Sequence, residues 1–210
     1  MTAALAGVWL VDPPAAWGAL GFAVTDGVVA FDGVCLRLGA GAPALEISEL
    51  EVADLDGVPL VRADVGPDAA VHPNGVIGID HFVLITPDFD RTAAACEAAG
   101  MPFRRVRDAG GFRQGFRRLG PAILEVVEAL EMPPGPTRFW GLTFVASDLD
   151  ALAALLGDRL RPPKEAVQPG RRIATLDRSA GLSAHVAFMT AAHEVTPLSD
   201  RRGAGREPPR

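Results

Sequence analysis

The stretch GIDHFVLITPDFD, Gly78 to Asp90, sets an imidazole, His81, inside a run of β-forming residues. A histidine placed there has three uses. It is a satisfied core residue, a metal ligand, or a group that exchanges a proton near neutral pH. A second concentration of chemistry lies in FRRVRDAGGFRQGFRRLG, which holds Arg104, Arg105, Arg107, Arg113, Arg117 and Arg118. The default for such a run is a solvated, salt-bridged surface. Strand alternation nevertheless sends some of these side chains to an inner face, where a guanidinium binds a carboxylate or phosphate bidentately. Gln114 adds a polar contact in the same run, and QPGRRIA offers Arg171 or Arg172. Other chemistries are thinly supplied. The chain has no tyrosine, and its one lysine, Lys164, lies in a loop-like RPPKEA unsuited to Schiff-base work. Cys35 and Cys96 share no metal-type spacing and read as buried thiols. No glycine-rich phosphate loop, nucleophile elbow or zinc-type cysteine cluster occurs, so no nucleotide cofactor is expected.

The elements that must position these residues repeat. HFVLITPDFDRTAAACEAAG and GLTFVASDLDALAALLGDRL both read as a strand, a turn with Asp-x-Asp, then an Ala/Leu-rich helix. Asp148 follows Asp88 by 60 residues, and each is placed to cap its helix. The same offset carries Pro102 to Pro162, and FRQGFRRLGPAILEVV onto IATLDRSAGLSAHVAF. Each copy reads βαβββ. A third, shorter copy precedes them, in GVWLVDPPAAWGALGF, GVVAFDGVCLRLG and PALEISELE, the last resembling AILEVVEALE. The fold class is therefore α+β. The reading divides the chain into a degenerate N-terminal module over residues 1–54, a connector over 55–75, two paired modules over 76–192 and a disordered tail over 193–210.

Composition bounds the rest. A net charge of −6 argues against a nucleic-acid partner. No apolar run is long enough to cross a membrane, and the start lacks a basic n-region, so a cytoplasmic protein with a small-molecule ligand is expected. The richness in Ala, Gly and Pro suggests a GC-rich bacterial genome.

Tandem βαβββ units carrying IDHFVLITPDFD, LGPAILEVVE and FWGLTFVASDLD resemble the vicinal oxygen chelate, or glyoxalase-like, superfamily over Gly78 to Thr190. The resemblance implies a curled mixed sheet, a bowl with helices on its convex side, around a divalent metal such as iron, manganese, nickel or zinc. It implies His81, Glu125 and His185 as ligands, with Gly141 at the fourth position, where a glycine would leave coordination open. Alternation agrees, because His81, Val83 and Ile85, then Ile123, Glu125 and Val127, then Ser183, His185 and Ala187 each share a face. Glu125 would double as a proton shuttle. Gln114, Arg118, Arg172 and Trp140 are the candidate contacts to a small oxygenated, anionic metabolite, although Phe139 and Trp140 also read as an aromatic plug between modules. The superfamily holds lyases, isomerases and dioxygenases, and also metal-free antibiotic-binding proteins, so sequestration of a small molecule is the alternative. Glu46 would align with Glu125, but its partner position is Gly7, so no second metal site is expected. The apolar first module is expected to extend the same sheet system, with a homodimer as the close alternative.

Overall fold

The two Asp-x-Asp turns do in three dimensions what their spacing suggests, and more. In the computed structural model, which describes residues 3–49, 52–63, 66–108 and 110–192, Asp88 accepts the Arg91 N–H at 3.0 Å and Asp148 accepts those of Asp150 and Ala151 at 3.0 and 2.9 Å. Both are N-caps that satisfy orphan donors of the first helical turn. The second aspartate of each pair reaches back to the sheet. Asp90 binds Arg113 and Asp150 binds Arg172, with closest contacts of 2.6 and 2.8 Å.

The N-terminal region forms β1 (Leu5–Leu10), α1 (Pro14–Gly18), β2 (Val28–Phe31), β3 (Val34–Leu38), β4 (Ala44–Ile47), β5 (Asp54–Leu55) and β6 (Val58–Arg62). Then follow β7 (Val76–Thr86), α2 (Phe89–Ala98), β8 (Arg105–Asp108), β9 (Arg113–Leu119) and β10 (Ala122–Glu128). The last module is β11 (Arg138–Ala146), α3 (Leu149–Leu156), β12 (Lys164–Glu165), β13 (Arg172–Thr175) and β14 (His185–Thr190). No helix among the described residues is long and apolar enough to cross a membrane.

The large sheet has eight strands in the order β12-β13-β14-β11-β7-β10-β9-β8. The first strands of the two modules lie antiparallel at its centre, and each runs parallel to the last strand of its own module. Phe82, Leu84, Leu124, Val126, Phe144 and Phe188 turn to the helix-bearing face and are fully buried there. This is the α+β, tandem βαβββ architecture of the vicinal oxygen chelate fold.

The N-terminal region departs from the expected single shortened module. Its six strands run β2-β3-β1-β4-β6-β5. That is the same plan in miniature: an antiparallel central pair, β1 and β4, each parallel to one strand of a terminal hairpin. β5 and β6 thus occupy much of the stretch read as a connector. β4 is the counterpart of β11 and not of β10, so Glu46 does not correspond to Glu125. Glu46 instead accepts bonds from Trp9 Nε1 at 2.8 Å and Arg37 Nε at 2.5 Å, a buried carboxylate spent on its own sheet.

Nor does this small sheet extend the large one. It packs against it through aromatic contacts: Trp17, Phe22 and Phe31 meet Phe144 with ring centroids 5.9, 5.3 and 5.8 Å apart. The two sheets share one core, so the apolar N-terminal region is covered from within this chain. His72 helps to hold the join between them. Its Nδ1 accepts the Ala23 N–H, which leaves Nε2–H to donate to the Ala30 carbonyl. The tail over 193–210 lies outside the described residues.

Candidate active site

Two irregularities in the central strand pair build the site. Between His81 and Ile79, β7 carries one residue more than β11 opposite, and the extra residue is Asp80. Between Phe139 and Gly141, β11 carries one more than β7, and the extra residue is Trp140. The two bulges occupy equivalent places 60 residues apart. A bulge breaks alternation and re-aims a side chain. Both extra residues turn toward the concave face, Asp80 beside His81 and Trp140 over His185.

Asp80 Oδ2 accepts from His81 Nδ1 at 2.8 Å, and Asp80 Oδ1 lies 2.7 Å from Arg171 Nη2, a close ion pair off the hydrogen-bond angle. Arg171 is anchored in turn by its Nε, which donates to the Thr190 carbonyl at 2.8 Å. Burial pushes the Asp80 carboxyl up, but the imidazole bond and the Arg171 charge outweigh it and hold the group below its ordinary value. An ionised Asp80 fixes the proton on Nδ1 and presents Nε2 to the bowl. That nitrogen lies 3.9 Å from Glu125 Oε2, while Glu125 Oε1 accepts from Gln114 Nε2 at 2.8 Å. Burial raises the Glu125 carboxyl above its ordinary value, and His81, the Gln114 bond and the charge of Arg107 offset this only in part. Val83, Ile85, Val127, Trp140 and Ile173 complete an apolar cavity of about 310 Å³, a size suited to a small ligand.

The expected metal set fares differently. His81 and Glu125 converge, and His185 lines the same cavity but does not group with them as a ligand set. Gly141 pairs with His185 as His81 pairs with Ile123. His185 is therefore the counterpart of Ile123, and Ala187 stands where Glu125 stands. The offset slips from 60 to 62 because the connection between β13 and β14 is longer than the Gly120–Pro121 turn between β9 and β10. The His185 ring stacks on Trp140 at 4.2 Å with planes 10° apart, and burial, with the charge of Arg178, pushes its pKa down. Among the described residues no three His, Cys, Asp or Glu side chains group to hold a metal ion. The donor set does not fit a resident metal, since two donors of the four positions remain.

Gly141 is not an open coordination position either. A Cβ there would fall on the His185 carbonyl oxygen and against its Cβ. The glycine permits close approach of β14. Gly141→Ala is accordingly expected to cost about 1–3 kcal/mol in urea denaturation, as overpacking does. An alanine variant as stable as the parent would contradict this packing.

Of the candidate ligand contacts, Gln114 and Trp140 are in the bowl. Arg172 is not, because it is bound at 2.8 and 3.0 Å to Asp150 on the helix side. Arg118 faces Ile123 but turns back over the carbonyls of Gly120 and Pro121. Sequence reasoning missed Asp80, whose signal was two polar residues in succession within an apolar strand. It also read Lys164 as a loop residue, whereas Lys164 lies on β12 and lines the cavity mouth.

No family model matches the chain, and no curated protein matches it. Solved structures similar to it include methylmalonyl-CoA epimerase from Mycobacterium tuberculosis, with 18% identity, TM-score 0.47, and coverage of 56% of this chain and 90% of that one. A Streptomyces coelicolor methylmalonyl-CoA epimerase variant in complex with 2-nitronate-propionyl-CoA shows 21% identity, TM-score 0.45, and coverage of 56% and 99%. A hypothetical protein from Bacillus halodurans C-125 shows 14% identity, TM-score 0.45, and coverage of 55% and 95%. The class, a vicinal oxygen chelate fold with a small N-terminal copy of itself, rests on the strand order described above.

Proposed function

We propose that the bowl performs acid–base chemistry on a small oxygenated metabolite, a proton transfer of the isomerase or lyase type that uses side chains in place of a resident metal. One observation carries the reading: Glu125 and the Asp80-backed His81 face one apolar cavity with their reactive atoms 3.9 Å apart. A carboxyl raised by burial is a better base once ionised and is poised nearer neutral pH. Glu125 takes a proton from carbon next to a carbonyl, and the C–H electron pair moves onto the carbonyl oxygen. Glu125 passes that proton to the free Nε2 of His81, and His81 hands it on to the oxygen, so the imidazole ends as it began with its proton on Nδ1. Return of a proton to carbon completes an isomerisation, and loss of a β-substituent completes an elimination. Gln114 holds Glu125 in place by its bond to Oε1.

A second reading, sequestration without turnover, is favoured by the stacked Trp140 and His185, which give the cavity a flat aromatic wall. Incubation in D2O with a panel of small 2-oxo acids and hydroxyketones, followed by NMR, separates the two. Proton transfer places deuterium on carbon in at least one compound. A compound that shifts the Trp140 indole signal yet takes up no deuterium would leave sequestration standing.

A further inference from the structure

Two edge strands bring three cationic side chains to the mouth of this bowl. Arg105 and Arg107 lie on β8 at one end of the sheet, and Lys164 lies on β12 at the other. Register sets all three on the concave face, because Arg105 pairs with Phe116, Arg107 with Gln114 and Lys164 with Ile173. The sheet curls far enough that Arg107 and Lys164 line one cavity with Gln168, next to Glu125 and His81. Arg105 and Arg107 line an adjoining cavity that also reaches Asp80 and Glu125.

Their freedom is informative because of where they stand: Arg104, Arg117, Arg118, Arg138, Arg159 and Arg178 also meet no carboxylate among the described residues, but they do not line these two cavities. Arg37, Arg91, Arg113, Arg161, Arg171 and Arg172 each meet a carboxylate within 4 Å. Among the described residues, Arg105, Arg107 and Lys164 meet none, and Arg105 does no more than lie over the Phe116 ring at 5.9 Å. Asp80 and Glu125 lie deeper in these cavities, and the three cations at the rim close no ion pair with them, which leaves their donors free for an incoming anion. The deep end of the same bowl is apolar.

We propose that Arg105, Arg107 and Lys164 form an anion subsite, and that the ligand is an amphipathic anion. Its carboxylate or phosphate sits at the mouth, its apolar body lies against Val83, Ile85 and Trp140, and its reacting atom falls between them at Glu125 and His81. This rests on the reading of the bowl as a ligand site. The probes are hexanoate, hexyl phosphate and 1-hexanol, which share a tail and differ in head group, with binding followed through the Trp140 indole NMR signal. At low salt, one or both anions bind at least tenfold more tightly than hexanol, and the better one identifies the head group. In the triple variant Arg105→Gln, Arg107→Gln, Lys164→Gln the three probes bind within about twofold of one another. These side chains are exposed and unpaired, so the fold survives their loss, which circular dichroism checks. Equal binding of hexanol and both anions to the parent would overturn the subsite and leave the bowl reading intact. So would an undiminished anion preference in the triple variant. If no probe moves the Trp140 signal, both fall together.

Discussion

Glu125→Gln is expected to cut proton exchange by about 10²–10⁴-fold, the usual contribution of a positioned general base, while making the folded protein more stable at neutral pH. The two effects share one cause. Burial lifts the folded carboxyl above its ordinary value of 4.5. A carboxyl so lifted favours the folded state below the unfolded pKa and loses that contribution as pH rises through the folded pKa. Above its folded pKa the wild-type protein holds an ionised group in a site that disfavours it. His81 from β7, Gln114 from β9 and Arg107 from β8 are the groups that face it, and all remain in the variant. Glutamine keeps the shape and an oxygen for Gln114 and carries no charge. The difference in Tm between variant and parent should open as pH rises above about 4.5 and close below it. A variant less stable than the parent at pH 7 would show that the carboxylate is a structural partner and not a strained catalytic group. Sites tuned for chemistry commonly give up stability in this way.

Arg171→Met has the second large effect. Asp80 and Arg171 are 15% and 11% exposed at their side chains, so little water replaces the lost cation. Removing one partner of a buried pair leaves an uncompensated charge, at a cost of about 3 kcal/mol, or about 6–12 °C in Tm for a chain of this size. Asp80 ionises below its ordinary value of 3.8 in the folded protein. Its contribution is present above that value and lost as pH falls through the folded pKa, so the deficit should shrink in acid. Asp80→Asn in the same chain should restore most of the loss. It should not restore activity, because an asparagine amide no longer dictates which His81 nitrogen carries the proton. A double variant as unstable as Arg171→Met alone would place the role of Arg171 elsewhere, at the Thr190 carbonyl.

Much of this architecture was legible because its periods are short and its punctuation is strong. Period-two alternation put His81 and Glu125 on one face and Phe82, Leu84, Leu124 and Val126 on the other, as the sheet has them. Proline and Asp-x-Asp marked both helix starts. The offset of 60 holds from β7 to β11 and from α2 to α3, where nothing is inserted. It fails at β14, because a longer connection before that strand moves its register without altering its composition. His185 thus matched Glu125 by count while matching Ile123 by pairing. The likeness of ALEI to AILEVV misled in the same way. Four residues of alternating pattern cannot say which neighbours a strand takes, and β4 proved to be a central strand. Bulges are harder still to read. Asp80 and Trp140 reach the bowl only because one strand has a residue more than its partner, a fact of pairing and not of either strand alone. Arg172 was set inside the bowl, but it lies one step out of phase with Ile173 and so faces α3, as Arg113 faces α2.

Deuterium wash-in by chelator-treated protein tests whether Glu125 and His81 transfer the proton without a resident metal. Protein dialysed against EDTA is incubated in D2O with a compound that the wild type exchanges, and carbon-bound deuterium is followed by NMR. The rate should be unchanged after chelation, should not rise on adding manganese, iron(II), nickel or zinc, and exchange should be lost in Glu125→Gln. Exchange that stops on chelation and returns with any one of these ions would contradict metal-free transfer.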